Sequence, residues 1–202
     1  MVNIAQYIKR FNEVFSFYSK SPWEAPENIE IMLIEKIKSL SPDYKVTGDT
    51  AIHKSARIEE HVIMKGAMII GPGCFIGAHA YLRGGIFLDE RAVVGPGCEV
   101  KTSFLFAGSA LAHFNFVGDS IVGSSVNMEA GSIIANYHND REDKAIHVLY
   151  GGEKIKLPVI KFGAVVGDGT KIGANAVLSP GTILEQGSVV GRLELVRQLG
   201  DQ

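Results

Sequence analysis

Apolar side chains recur at every sixth position over most of this chain. From Ile52 the step runs through Ile58, Met64, Ile70, Ile76, Leu82, Leu88, Val94, Val100, Phe106 and Ala112. It restarts at Ile160 and passes through Val166, Ile172, Leu178, Leu184, Val190 and Val196. With 46% of the sequence apolar, such a run has odds of roughly one in a million before the phase is chosen. A companion column two residues earlier holds small or modest side chains: Ala56, Val62, Met68, Cys74, Ala80, Ile86, Ala92, Cys98, then Ala164, Thr170, Ala176, Thr182 and Ser188. A period of six is neither that of a helix nor that of a simple hairpin. It predicts an all-β solenoid of short strands, with two inward side chains per strand and a tight turn between strands.

Two segments fall outside the period. Residues 137–159 form an insert in which AIHVLY and IKLPVI flank Gly151-Gly152, the signature of a hairpin projecting from the solenoid. Residues 1–45 place Ile8, Phe11, Val14, Phe15 and Tyr18 on one helical face, and a second apolar run extends to Leu40 after Pro22 and Pro26. The expectation is a helical cap (1–45) over the open first coil of a β-solenoid domain (46–202), about seven coils in all.

Composition now gains a use. Glycine supplies 23 of 202 residues, about 11% against a usual ~7%, and many fall in turns of the repeat such as GPGC at 71–74 and 95–98 or GDGT at 167–170. These turns call for a left-handed backbone, which glycine adopts freely. A net charge of −2 argues against a nucleic-acid-coating protein. Two cysteines cannot frame a disulfide scaffold, and no secretion signal or apolar run of ~18 residues is present. A soluble cytoplasmic protein with no membrane partner is the expectation.

Arg83 and Lys101 are 18 residues apart, one full coil, and so form a stacked pair of cations. Like charges in a column are costly unless an anion joins them. His113 lies where the step falters: apolar positions run Ala112, Val117, Val122, Met128, leaving two sides one residue short. An imidazole beside an irregularity is a candidate catalytic group. His61 and His79, also 18 apart, are expected to stack.

The string HFNFVGDSIVG from His113, the NY at Asn136-Tyr137 and KFGAVVGD from Lys161 to Asp168 resemble the hexapeptide-repeat acyltransferase family. They are most similar to the acetyltransferase half of bifunctional N-acetylglucosamine-1-phosphate uridyltransferases and to the matching domain of archaeal-type sugar-1-phosphate nucleotidylyltransferases. The resemblance implies a left-handed parallel β-helix, a homotrimer with sites between neighbours, and acetyl-CoA-dependent N-acetylation of an amino-sugar 1-phosphate without a catalytic metal. It puts the general base on His113, oriented by Glu99. It puts the acceptor contacts on Arg83, Lys101, Phe116 and Asn127, and the acetyl-CoA contacts on Ala130, Asn136, Tyr137 and Asp168; Lys144, on the insert, is a candidate contact to the cofactor's phosphates. Arg141, Lys154 and Lys156 are further phosphate-contact candidates on the insert. Glu129 is a second candidate for orienting the imidazole, since the shortened steps put it one coil beyond His113. A histidine's ordinary pKa of about 6.5 suits it to taking a proton from an attacking amine at neutral pH.

The sequence departs from the family's pattern at Phe116 (usually Tyr), Glu129 (usually Gly) and Asp168 (Ser in bacterial forms). Residues 1–45 carry no Gly-rich loop, so nucleotidyl transfer is not expected. Two alternatives stand beside the acetyltransferase: a non-enzymatic assembly or regulatory repeat protein, and a γ-carbonic-anhydrase-like metalloenzyme built on His61 and His79.

Overall fold

A computed structural model describes residues 2–199. From Thr50 onward the chain winds as a parallel β-solenoid with three strand positions per coil. Face I begins at Thr50–His53, face II at Arg57–Ile58 and face III at Ile63–Lys65. Face II is a separate seven-stranded parallel sheet, its last rung at Val189–Val190. Faces I and III merge into one sheet because the strands Tyr81–Leu88 and Glu99–Leu105 run unbroken around the corner between them.

The inward columns are those the period predicts as far as Val100. Ile70, Ile76, Leu82, Leu88, Val94 and Val100 are wholly buried, as are Met68, Ile86 and Ala92 beside them. Thereafter the phase differs by one. Leu105 and Leu111 occupy the core rather than Phe106 and Ala112, and Phe106 is buried on the outside of the coil. Two steps are indeed short, Val100 to Leu105 and Val117 to Val122. The first falls at the corner after Lys101, not at His113. The register shows it directly: Arg83 is opposite Lys101, yet Ile86 is opposite Ser103. Where Gly84 and Gly85 turn the corner in one coil, Thr102 alone does so in the next, at φ 49°, and Asp119 in the one after, at φ 45°. The buried hydroxyls of Ser103 and Ser120 replace the missing ladder carbonyls, accepting from the Ser120 and Ala164 amides at 3.0 Å each. After the insert, Ile160 is 59% exposed and the period resumes at Ala164–Val166.

Glycine accounts for only part of the turning. At the corner between faces II and III the left-handed positions are His61, His79, Gly97, Phe114, Gly131, Asn175 and Leu193, mostly side chains that pay a steric cost for that backbone. Other glycines serve close approach. A Cβ on Gly95 would lie 1.6 Å from the Ala112 carbonyl oxygen, which no other residue could relieve.

The N-terminal segment is not a lid on the first coil. Helices α1 (Lys9–Val14), α2 (Glu24–Glu27) and α3 (Ile29–Ile37) lie along the outside of face I. The reason is that this face is apolar on both sides. Ile69, Phe87, Phe104, Ile121, Val165 and Ile183 stand in register on successive coils, facing outward, and each is at most 5% exposed. The arm supplies their cover: Phe15 packs at 5.0 Å from Phe87 and 5.4 Å from Phe104, ring centre to ring centre. The edge of the first coil is instead closed by Tyr44–Thr47, paired antiparallel to Thr50–His53. The insert hairpin forms as expected, His147–Tyr150 against Glu153–Lys156 with Gly151 and Gly152 both at positive φ. It does not project. Ile146, Val148, Leu157, Val159 and Phe162 join the same outer cluster as the arm, and Tyr150 donates to Gln6.

Phe15→Ala should therefore destabilise the chain by about 3–5 kcal/mol, the usual range for emptying a buried aromatic site. Limited proteolysis should then cut residues 1–45 well before the solenoid, with the β-rich circular dichroism retained.

Candidate functional site

Because each rung pairs with the next, outward residues on face III stack in two columns. Tyr81, Glu99 and Phe116 form one, and Lys65, Arg83, Lys101 and Gly118 the other. Arg83 and Lys101 are stacked as the spacing predicts, but no outside anion is needed to hold them together. The Arg83 guanidinium contacts Glu99 Oε1 at 2.7 Å through Nε and 2.6 Å through Nη2, while Lys101 Nζ donates to Asp119 Oδ2 at 2.6 Å. Arg83 and Lys101 each carry their own carboxylate, so the pair is nearly neutral, while Lys65 lies 5.2 Å from the Tyr81 ring centre.

That pairing displaces an expected role. Glu99 gives its carboxylate to Arg83 rather than to His113. Glu129 is also turned away. It is in register with Ala112, and its two oxygens accept from Arg192 at 2.8 Å each and from the Ala174 amide at 2.8 Å. Those donors, Arg192 first, pull its carboxyl down to about 2. His113 itself is exposed at the corner where face II passes into face III. Its carbonyl accepts from Gly131, and its ring makes no hydrogen bond among the described residues.

The remaining expected site residues divide between locations. Phe116 lies on face III, and Asn136 follows the strand Ile133–Ile134 of that face. Asn136 also donates to Asp119 Oδ2. Asn127 lies on face II, opposite Ala110 and Lys171 and exposed, so one chain does not bring it to Arg83. Ala130 shares the His113 corner. Tyr137 opens the insert, with the Lys144 ammonium 5.1 Å above its ring centre. Asp168 is elsewhere altogether, at the corner between faces I and II. Its Oδ2 accepts from the Lys9 amide at 3.1 Å, its Oδ1 from the Ser124 amide at 2.7 Å, and its own amide donates to Tyr7 at 2.9 Å. The position expected to touch a cofactor thus anchors the N-terminal arm.

A cavity of about 730 Å³ opens between the insert and the last coils, lined among others by Tyr137, His138, Arg141, His147, Lys154 and Ser179. His138 is buried and its ring accepts from Arg141 Nη2 at 2.8 Å. Burial, then the Arg141 charge, pushes its pKa down. His147 is lowered by burial and by Lys154 and Lys156. Asp140 and Asp143 line it too, so its cations Arg141, Lys154 and Arg197 outnumber its carboxylates by one. His61 and His79 stack as expected, 5.3 Å apart and nearly parallel. Among the described residues no three or more His, Cys, Asp or Glu side chains converge as a metal site would require, and no helix is long and apolar enough to cross a membrane. Sequence reasoning missed Asp119, although the short step between Val100 and Leu105 marks the corner type it occupies.

Residues 68–100 and 163–191 match the family model described as hexapeptide repeat of succinyl-transferase. The chain is 36% identical over 155 residues to the bifunctional protein GlmU of Methanococcus vannielii, covering 68% of this chain and 37% of that protein. It is 31% identical over 151 residues to the bifunctional sugar-1-phosphate nucleotidylyltransferase/acetyltransferase of Sulfurisphaera tokodaii, covering 75% and 37% respectively. The chain thus spans little more than a third of the curated relatives it matches. Among solved structures, the acetyltransferase domain of PglB from Neisseria gonorrhoeae FA1090 is 15% identical, covers 70% of this chain and 54% of its own, and has a TM-score of 0.41, a likeness too loose to carry weight.

Asp168→Ala removes the acceptor for two backbone amides and should cost about 1–3 kcal/mol. Thermal unfolding measures the loss, and faster protease cleavage before residue 45 locates it at the arm.

Proposed function

The chain is a hexapeptide-repeat protein, and from that premise we propose that it is an acetyl-CoA-dependent N-acetyltransferase acting on an amino-sugar 1-phosphate, glucosamine-1-phosphate or a near relative. The single observation that carries this reading is His113, an exposed imidazole at the edge of the one face that also presents Arg83, Lys101 and Asn136. The names of the two curated relatives, both bifunctional and one stated to be an acetyltransferase, support it.

In this reading Arg83 and Lys101 receive the sugar phosphate, each held in place by its carboxylate. An arginine already fixed by Glu99 has lost its rotamer freedom before binding, which lowers the entropic cost of docking an anion. The amino group arrives as an ammonium ion and must shed a proton to attack. His113 takes that proton to free the lone pair; as the nitrogen–carbon bond forms and the carbon–sulfur bond breaks, the nitrogen's second proton passes to the departing thiolate, leaving a neutral amide and the CoA thiol. Asn136, Tyr137, Ala130 and Lys144 are the residues that would hold acetyl-CoA, the source of the acetyl group. The neighbouring cavity offers the Arg141 and Lys154 side chains to its phosphates. Phe116, apolar where a hydroxyl would otherwise meet the sugar, favours an acceptor that makes no hydrogen bond there.

The active form we propose is a homotrimer in the cytoplasm. Face I is already covered by the arm and the hairpin, which leaves faces II and III for a neighbour. A site shared between copies also accounts for the placement of Asn127 on face II and for an imidazole that no carboxylate among the described residues orients.

Incubation with acetyl-CoA and glucosamine-1-phosphate or galactosamine-1-phosphate should release free thiol. His113→Ala should slow that release by about 10²–10⁴-fold, the usual worth of a general base. Absence of turnover across a panel of amino-sugar phosphates would overturn the reading in favour of a non-enzymatic assembly protein.

A further inference from the structure

Asp119 sits at a corner where the backbone is left-handed, φ 45°. The equivalent corner positions in other coils are Gly66, Gly84 and Gly181, which adopt that conformation without steric cost, and Thr102, which brings no charge to it. An aspartate tolerates it better than most residues but gains nothing from it. What it adds is a carboxylate. Its Oδ2 alone receives both Lys101 Nζ, from the preceding coil, and Asn136 Nδ2, from the following one. The pair is poorly solvated, the Lys101 and Asp119 side chains being 17% and 10% exposed.

The main chain of the same residue adds two further ties. The Asp119 amide donates to the Lys101 carbonyl at 2.8 Å, and its own carbonyl accepts from Gly163 at 3.0 Å. Gly163 is where the chain returns from the insert, and Asn136 is where it leaves. Asn136 accepts from Phe162 at 3.0 Å through its carbonyl, so the two roots of the insert are clasped beside Asp119. The Asn136 amide is seated over Gly118, where a Cβ would lie 2.8 Å from it. Lys101 therefore cannot shift without moving the oxygen that fixes Asn136, and with it the base of the loop that walls the cavity.

Resting on the functional reading above, we propose that Asp119 is a positioning residue that couples the two substrate sites, holding the acceptor-phosphate lysine and the acetyl-CoA-side asparagine in one arrangement. Occupation of either side then fixes the other in advance. Such coupling is reciprocal, and coupling of this kind is typically worth about 5–150-fold in affinity.

Asp119→Asn tests this, because asparagine keeps the shape and accepts the left-handed backbone while losing the charge that holds Lys101. CoA affinity, measured by calorimetry with and without saturating amino-sugar 1-phosphate, should be enhanced by the sugar in the wild-type protein by about fivefold or more, and that enhancement should vanish in the variant. In turnover, KM for both substrates should rise together with kcat little altered, whereas a merely structural role would lower stability and leave the coupling intact. Should Asp119→Asn fail to fold, Asp119→Gly decides: glycine is the residue of the corners at 66, 84 and 181, keeps the left-handed backbone, removes the carboxylate that joins Lys101 to Asn136, and should also abolish the enhancement. A folded variant that retains the wild-type coupling, or a wild-type protein that turns over normally with no coupling to lose, overturns the proposal and leaves the acetyltransferase reading standing. A wild-type protein that binds neither ligand overturns that reading, and this proposal with it.

Discussion

Every outward side chain on this solenoid is placed by one requirement: each coil must hydrogen-bond to the next in register, so that backbone polar groups around a dry core find partners. Once that ladder is laid down, residues 17 or 18 apart have no choice but to stack. The stacking of Arg83 on Lys101, of His61 on His79, and of Ile69 through Ile183 on the far side follows from the ladder alone. The sequence can vary what stands in a column but not which positions share it. Chemistry on such a scaffold is therefore read by column and corner.

The same requirement explains where the fold is irregular. Shortening a corner by one residue removes a ladder partner, and a buried hydroxyl can supply it. Ser103 and Ser120 do so, and the two shortened coils are those that carry Lys101 and Asp119. The bond pattern there differs from the rest of the solenoid, and the Lys101–Asp119 ion pair joins those two corners. His113, by contrast, is on a corner of ordinary length. Its eligibility for proton transfer comes from exposure and from the face it borders, not from local strain.

Periodicity made the solenoid, its seven rungs, the insert and its Gly-Gly turn legible before any coordinates, because inward positions are selected for one property, apolarity, at fixed spacing. The phase was lost after Val100 because Leu105-Phe106 offers two adjacent apolar residues, and only the register decides which points inward. The arm's destination was also written in the sequence, though less plainly. Face I reads Met68-Ile69-Ile70, Ile86-Phe87-Leu88 and Ala164-Val165-Val166, apolar at both parities, which a strand with one face in water would not be. Partnerships among charges were not legible. Glu99 and Glu129 could each be placed near His113 by counting, but which cation captures a carboxylate depends on side-chain reach across coils, and Arg83 and Arg192 reach them first. Asp168 illustrates the hazard of carrying a role by position: here the carboxylate serves the arm that lies against the outside of the solenoid.

The most direct measurement is a crystal structure of the assembled protein with CoA and glucosamine-1-phosphate bound. The sugar phosphate should lie against Arg83 and Lys101 on face III, with the amino group within hydrogen-bonding distance of His113. The pantetheine thiol should lie on the Ala130–Asn136 side, with a neighbouring copy completing the site. A sugar bound on face II alone, or an amino group far from any His113 of the assembly, would contradict this arrangement.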